Sequence, residues 1–273
     1  MNSIIIQKAL NFIPFQVRSK IKNIPLLKQI QAVIVKRYLN NAEFNAQITG
    51  GPAKGLICPV KLPQDKQIWI GTWELDFANA LQSAIKPGFV CYDIGGYKGY
   101  YSGVMALQGA SQVYVFEPMP QNAEKIKQLI MLNPLLPISL KEYAVSDNEG
   151  IAVFKIMQEE TMGKLESSSF QKTETSLDEL CVQSVTIDGL IKNGLSAPDF
   201  IKIDVEGAEE MVLKGALDCL KSKKPYLMIE IHSHEIGLAC FSLLKEVYSN
   251  IIVFETGMPP QNGEPSICHY IVK

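Results

Sequence analysis

From residue 89 onward the hydrophobic positions of the chain switch between two rhythms. Short runs rich in Val, Ile, Tyr and Phe are followed by stretches whose apolar residues recur three and four positions apart, the signatures of buried strands and amphipathic helices. Strands are predicted at Phe89–Ile94, Gln112–Phe116, Ile138–Val145, Phe200–Ile203 and Tyr226–Ile231. Helices are predicted at Tyr100–Gln108, Pro120–Leu132, Ala208–Leu220 and Glu235–Tyr248; in the second, Ala123, Ile126, Leu129 and Ile130 share one face. The alternation breaks once. Ile151–Ile156 and Val182–Val185 read as extra strands around a polar stretch, Gln158–Ser176, rich in Ser, Thr and Glu. A loop this long in a compact domain is expected to be mobile or functional. The chain closes with two strands, Ile251–Phe254 and Ile267–Val272, with no helix between them. That ending implies one reversed strand, because parallel neighbours need a long crossover.

Repeated strand–helix units place the chain in the α/β class, with a parallel sheet covered by helices on both faces. Ahead of them, residues 43–61 read as a hairpin turning at Gly50-Gly51-Pro52, and a helix from Glu74 to about Ile85 leads into the first central strand. Residues 1–42 carry a helical pattern broken near Pro14 and Pro25, with Leu26, Leu27, Ile30, Val33, Ile34 and Tyr38 on one face. The organisation expected is therefore a basic helical extension (1–42), a hairpin with its lead-in helix (43–85) and the main domain (86–273).

Charge changes this picture. The 273 residues carry a formal net charge of −2, but residues 1–42 hold seven Lys or Arg and no Asp or Glu. The rest has 19 basic against 28 acidic residues. An acidic main domain argues against a nucleic-acid substrate, since phosphate binding needs a basic surface. Hydrophobic content of 47% and no apolar run near the length of a bilayer span indicate a soluble chain. Six scattered cysteines have no metal-ligand spacing and fit a reducing cytoplasm. The basic extension has two readings: a helical arm packed on the main domain or on a second subunit, or a cationic amphipathic segment on an anionic, inner membrane surface.

The candidate chemistry gathers where strands end. Tyr92-Asp93-Ile94-Gly95-Gly96-Tyr97-Lys98-Gly99 is strand, glycine-rich turn and helix start, the layout of a nucleotide-binding crossover. Its spacing is not Gly-x-Gly-x-x-Gly, and a carboxylate at Asp93 would repel a pyrophosphate. A ligand with an amino group, a sulfonium and ribose hydroxyls suits it better, so S-adenosylmethionine competes with a dinucleotide. Twenty-four residues on, Glu117 ends the next strand before Pro118, where its carboxylate can accept two hydrogen bonds from a vicinal diol. In Ile201-Lys202-Ile203-Asp204-Val205-Glu206-Gly207-Ala208-Glu209, Lys202 and Asp204 share a side of the strand, and charge inside a buried strand is costly unless paired or functional. Asp204 and Glu206 fall at the carboxyl edge, where ligands bind in open α/β sheets. Glu209 reads as a helix-end carboxylate and Lys202 as either a structural ion pair or a functional cation. Glu230, His232 and His234 end the following strand and could serve as base, substrate clamp or metal ligand, although their spacing matches no strong metal motif and no metal is expected.

These blocks, with Trp73-Glu74, Asn133, Ala144-Val145-Ser146-Asp147, Thr186-Ile187-Asp188 and Ile229-Glu230-Ile231-His232, resemble the FkbM-type methyltransferases over about residues 70–232. The family's first motif often has Ala-Asn where this chain has Gly96-Tyr97. The resemblance implies a Rossmann-like, doubly wound, mostly parallel sheet of seven strands with one antiparallel strand. It implies S-adenosylmethionine as donor and O-methylation of sugar hydroxyls in glycans and glycolipids, or of natural products. Asp93, Gly95 and Gly99, with Gly96 and Tyr97 between them, would shape the donor pocket. Glu117, followed by Pro118, would hold the ribose, Ala144 and Val145 would flank the adenine, and Asp204 would sit near the donor amino group and the methyl. His232 is the first choice of general base, then Asp204 or Glu206.

Two other classes stay open at this point: a nicotinamide-dependent oxidoreductase, and a non-enzymatic binding module. There is no Asn/Asp-Pro-Pro-Tyr stretch after the fourth strand, as amino-directed methylation of nucleic acid would lead one to expect. A homo-oligomer is compatible with the sequence. If the extension binds membrane, deleting residues 1–40 abolishes binding of the chain to anionic vesicles; unchanged binding, or none by the intact chain, contradicts that reading.

Overall fold

The computed structural model describes residues 43–156, 163–165, 178–261 and 267–273. The helical extension over 1–42 and most of the stretch Gln158–Ser176 lie outside them. A hairpin opens the described chain, with β1 (Glu43–Gln47) antiparallel to β2 (Ile57–Lys61). Two helices follow, α1 (Lys66–Ile70) and α2 (Leu75–Ala84). The crossover units then run β3 (Val90–Ile94), α3 (Tyr100–Leu107), β4 (Gln112–Phe116), α4 (Pro120–Leu132) and β5 (Ile138–Lys141). An inserted sheet is built from β6 (Ala144–Val145), β7 (Gly150–Ile156), β8 (Gly163–Leu165) and β9 (Asp178–Val185). After α5 (Ile187–Lys192) come β10 (Phe200–Ile203), α6 (Glu209–Lys214), α7 (Leu217–Lys223), β11 (Tyr226–Ile231), α8 (His234–Leu244), β12 (Ile251–Val253) and β13 (Cys268–Val272).

The main sheet has seven strands in the order β12-β13-β11-β10-β3-β4-β5. Strands β11, β10, β3, β4 and β5 are mutually parallel, and β13 runs antiparallel to both β11 and β12. This is the doubly wound, Rossmann-like sheet that the family resemblance implies; the hydrophobic pattern by itself gives the α/β class and the reversed strand. The strand order reverses direction between β3 and β10, and there the ends of two neighbouring strands open a crevice for a ligand.

Strand alternation builds the two cores. Cys91, Val113, Val115, Phe200 and Met228 face a layer containing Tyr100, Val104, Ile126 and Leu129 of α3 and α4, and the hairpin packs into the same layer. Their strand neighbours Tyr92, Ile94, Phe116, Ile201, Ile203 and Ile229 face Val212, Cys219, Ile236, Cys240 and Leu244 on the opposite side. Both faces are therefore apolar, as the near-continuous hydrophobic strands foretold. None of the six cysteines is joined in a disulfide. Among the described residues no helix is long and apolar enough to cross a membrane.

The structure adds α1, β8 and α5, which the pattern does not predict, and it splits two elements that it does. The run Ile138–Val145 divides: β5 joins the main sheet, whereas β6 crosses to pair with β9 in the inserted one. The helix expected over Ala208–Leu220 breaks into α6 and α7 at Gly215-Ala216. Gly215 packs against the insert so closely that a Cβ there would sit 2.0 Å from the Ser146 carbonyl oxygen. The chain turns to make that contact, which hydrophobic periodicity does not register.

Candidate active site

A cavity of about 330 Å³ opens at the carboxyl ends of β3, β4 and β10, at the reversal in strand order. Its size is that of a small-molecule site. The glycine turn forms the floor. Gly95 has φ +79°, and a Cβ on it would meet the Asp204 carbonyl oxygen at 1.7 Å. A Cβ on Gly96 would meet Val115 Cγ2 at 2.1 Å. Only glycine lets β3 turn this tightly beside β10. Both amides donate to one acceptor, the Phe116 carbonyl, at 3.0 and 3.1 Å.

Beneath the turn lies a buried ion network. Lys202 in β10 stands opposite Asp93 in β3, and both are almost wholly buried. The Lys202 ammonium donates to the Gly95 carbonyl at 2.8 Å and to Asp204 Oδ2 at 3.1 Å, and lies 3.5 Å from Asp93 Oδ1. Asp93 Oδ2 accepts a 2.6 Å hydrogen bond from Ser102 Oγ. Asp93 thus faces inward, toward lysine and α3, and does not line the cavity. Burial alone would lower the Lys202 pKa, but Asp204 and Asp93 outweigh it and raise it.

Glu117 closes the adjacent wall. Its Oε2 accepts from the Tyr97 amide at 2.8 Å, and Oε1 accepts from the Met119 amide at 3.0 Å and from Asn122 Nδ2 at 3.4 Å. It therefore holds Tyr97 in a left-handed conformation, φ +50°. Burial pushes its carboxyl up to about 7, against the pull of those hydrogen bonds. Gly96, Tyr97, Pro118, Ala144, Val145, Asp204 and Glu206 also line the cavity. Gly99, φ +78°, lies behind it at the start of α3 against Leu129.

The opposite wall is acidic. Glu74, Asp204, Glu206 and Glu230 line it with Trp73 and Tyr101. His232 sits just behind, 4% exposed. Its Nδ1 is 2.8 Å from Glu209 Oε1, which also accepts the Gly207 amide at 3.0 Å. Its Nε2 is 3.5 Å from Glu206, 3.7 Å from Asp204 and 3.8 Å from Glu230. Burial would lower the imidazole pKa, but the Glu209 bond and the charges of Glu209, Asp204 and Glu206 push it up to about 9. Burial likewise pushes Glu206 up to about 7, where Asp204, Glu230 and Glu209 add to the effect and His232 opposes it. Asp204 is raised for the same first reason, with Lys202 opposing. Asp204, Glu230 and His232 offer ligand atoms within 4.8 Å of one another, a spacing a divalent ion could use. Asp204 faces two cations of the protein itself, the Lys202 ammonium at 3.1 Å and the His232 imidazolium at 3.7 Å.

Several contributors escaped the sequence reading. The Tyr101 hydroxyl donates to Glu74, whose φ of +39° places it at the start of α2. Lys98 reaches from the glycine turn to Asp65 at 2.7 Å, and Asp65 also accepts the Lys61 amide, tying hairpin and turn together. Of these only Trp73-Glu74 carried a signal, as part of the family resemblance. His234 opens α8, behind its N-cap Ser233.

The family model for the methyltransferase FkbM domain matches residues 93–255. The hexuronic acid methyltransferase AglP of Haloferax volcanii is 25% identical over 161 residues, which cover 59% of this chain and 63% of AglP. This chain therefore spans less than two thirds of that relative. Among solved structures, methyltransferase FkbM from Methylobacillus flagellatus aligns with a TM-score of 0.47 at 16% identity, over 71% of this chain and 50% of its own. A Streptococcus mutans protein crystallised in complex with SAH aligns with a TM-score of 0.42 at 10% identity, over 72% of this chain and 96% of its own.

The protonation of His232 is directly measurable. Proton-detected NMR of the imidazole should show it cationic at pH 7.5, titrating near pH 9, and Glu209→Gln should bring that titration down. Because the folded pKa exceeds the ordinary value of 6.5, the stabilisation is complete below about pH 6.5 and lost as pH rises through about 9. A neutral imidazole at pH 7.5 contradicts this.

Proposed function

The chain belongs to the FkbM methyltransferase domain family, and on that premise we propose that it transfers the methyl group of S-adenosylmethionine to a hydroxyl of a sugar-containing acceptor, in a glycan or glycolipid. The observation that carries the donor assignment is the cavity at the β3–β10 reversal, with carboxylates rather than phosphate-binding groups at its strand ends. Gly95 and Gly96 bring bare backbone to the cavity, because close packing against the Asp204 carbonyl and Val115 excludes a side chain at either. Glu117 lines the wall at the end of β4 as a ribose-binding carboxylate would, and Ala144 and Val145 offer an apolar seat for a base. Asp204 and Glu206 complement the donor's ammonium and sulfonium. The sugar-type acceptor is supported by the name of the Haloferax relative.

When bound, the donor supplies an electrophilic methyl on a sulfonium. The protein aligns the acceptor oxygen, a contribution worth up to about 7–11 kcal/mol of barrier. It must also accept the hydroxyl proton. His232 came first in the sequence reading, but a cation hydrogen-bonded to Glu209 has no free lone pair to offer. Glu206, with its carboxyl near 7, and Asp204 take that role in the mechanism proposed here, because both line the cavity. A general base works best with a pKa near the working pH. The His232 imidazolium then holds its proton beside Glu206 and Asp204 and keeps their charge balanced.

Two sets of measurements test this. Tritiated S-adenosylmethionine, incubated with fractionated lipids, polysaccharides and small metabolites, should label a sugar-containing fraction; label only in protein or RNA contradicts the acceptor class. With that fraction in hand, Asp204→Ala and His232→Ala should each lower methyl transfer at least about tenfold, roughly 1.4 kcal/mol of barrier, with the fold retained. The rate should rise with pH through about 7 as Glu206 ionises and fall through about 9 as His232 loses its proton. A pH-independent rate, or near-normal activity in either variant, removes the residue concerned from its role.

A further inference from the structure

The wall of the cavity away from the glycine turn differs in charge from what an acidic sugar requires. We propose that this acceptor half takes neutral and amino-bearing sugars and rejects acidic ones, a statement that rests on the sugar methyltransferase reading above. It parts this chain from the relative named for a hexuronic acid.

The first ground is the charge around the wall. Glu74, Asp204, Glu206 and Glu230 line it, with Asp93 and Glu209 directly behind. Among the described residues, the cations facing this group are Lys202 and His232, and each is already committed. Lys202 is held by Asp204, Asp93 and the Gly95 carbonyl, and His232 is held by Glu209. Lys98, elsewhere on the wall, is held by Asp65. His269 stands beyond Glu230 at 3.6 Å, but it is paired with Glu255 at 2.6 Å, so that pair adds no net charge. Carboxylates thus outnumber cations by about four, and a bound donor with its sulfonium, ammonium and carboxylate brings only about one net positive charge. The carboxylates register this crowding: burial first, then Glu230 and Asp204, raise the Glu74 carboxyl.

The second ground is independent and lies in the sequence. Recognition of a carboxylate or phosphate on a ligand favours arginine, whose planar fork binds two oxygens at once. The chain has only two arginines, Arg18 and Arg37, and both fall within residues 1–42. The family-matched part has none. The groups that are present suit another ligand. Ionised carboxylates accept from hydroxyls and bind ammonium groups, and Trp73 lines the same wall as an apolar surface for a sugar ring.

The test uses the full chain saturated with S-adenosylhomocysteine, so that the donor half is filled and no turnover is needed. Methyl glycosides of glucose, glucosamine and glucuronic acid, and their galacto counterparts, are titrated at pH 8 by calorimetry and saturation-transfer NMR, once in EDTA and once in excess magnesium. The glucosides and glucosaminides should bind at least about tenfold more tightly than the glucuronides, and Glu74→Gln and Glu230→Gln should each narrow that gap. Glucuronides that bind as well as or better than the neutral glycosides, in either buffer, overturn this inference and leave the sugar reading standing. Binding of S-adenosylhomocysteine with no binding of any sugar overturns the sugar reading, and the charge inference falls with it. Failure to bind S-adenosylhomocysteine overturns the donor assignment itself.

Discussion

One buried ammonium holds this site together. Lys202 lies at the seam where the winding of the sheet reverses, and it ties β10 to β3 through Asp93, to the glycine turn through the Gly95 carbonyl, and to the cavity through Asp204. Burying a lone lysine would be prohibitive. Burying it between two aspartates and a carbonyl is tolerable, and removing one partner of such a pair costs about 3–5 kcal/mol because the other charge is stranded. The arrangement sets the distance between the first and fourth crossover units, and with it the width of the cavity. A hydrophobic pair at the same place could hold the strands together, but it would not aim Asp204 at a ligand.

A second pair repeats the device one strand further along. Glu209, wholly buried, fixes His232 and the Gly207 amide with one oxygen, so that the loop after β10 and the end of β11 are locked to each other. The consequence is electrostatic as much as geometric. A histidine held by a buried carboxylate and ringed by three more stays charged, whereas Asp204 and Glu206 beside it are pushed toward neutrality by burial. The usual parts are thereby exchanged: the imidazole keeps the proton and the carboxylates become the groups able to accept one. Pairs of groups whose environments drive their pKa values apart are how acid and base roles are assigned.

Much of this was legible in the chain. The rhythm of strands and helices gave the α/β class and the reversed last strand, since those features depend on local apolar periodicity. The strand-end positions of Glu117 and Asp204 followed from the same counting, because a carboxylate at the end of a buried strand can only lie at the sheet edge. Side-chain direction was less accessible. Asp93 reads as a ligand contact by position, yet it turns inward because Lys202 stands opposite it, a pairing that depends on which strands become neighbours. The contribution of Glu74 depends on Tyr101, and that of Lys98 on Asp65; each is a contact between segments about 30 residues apart that no spacing rule connects. The charge of His232 is hidden for the same reason, since Glu209 reads in the sequence as an ordinary helix-end carboxylate. The break at Gly215 and the division of Ile138–Val145 both come from docking of the inserted sheet, which leaves no trace in the hydrophobic pattern.

The central claim is that the carboxylate-lined cavity at the β3–β10 seam is built for S-adenosylmethionine. Calorimetric titration of the full chain tests it most directly. The account predicts one-to-one binding of S-adenosylmethionine, competed by S-adenosylhomocysteine, and no heat with NAD or NADH; binding of a nicotinamide cofactor with none of S-adenosylmethionine would contradict it.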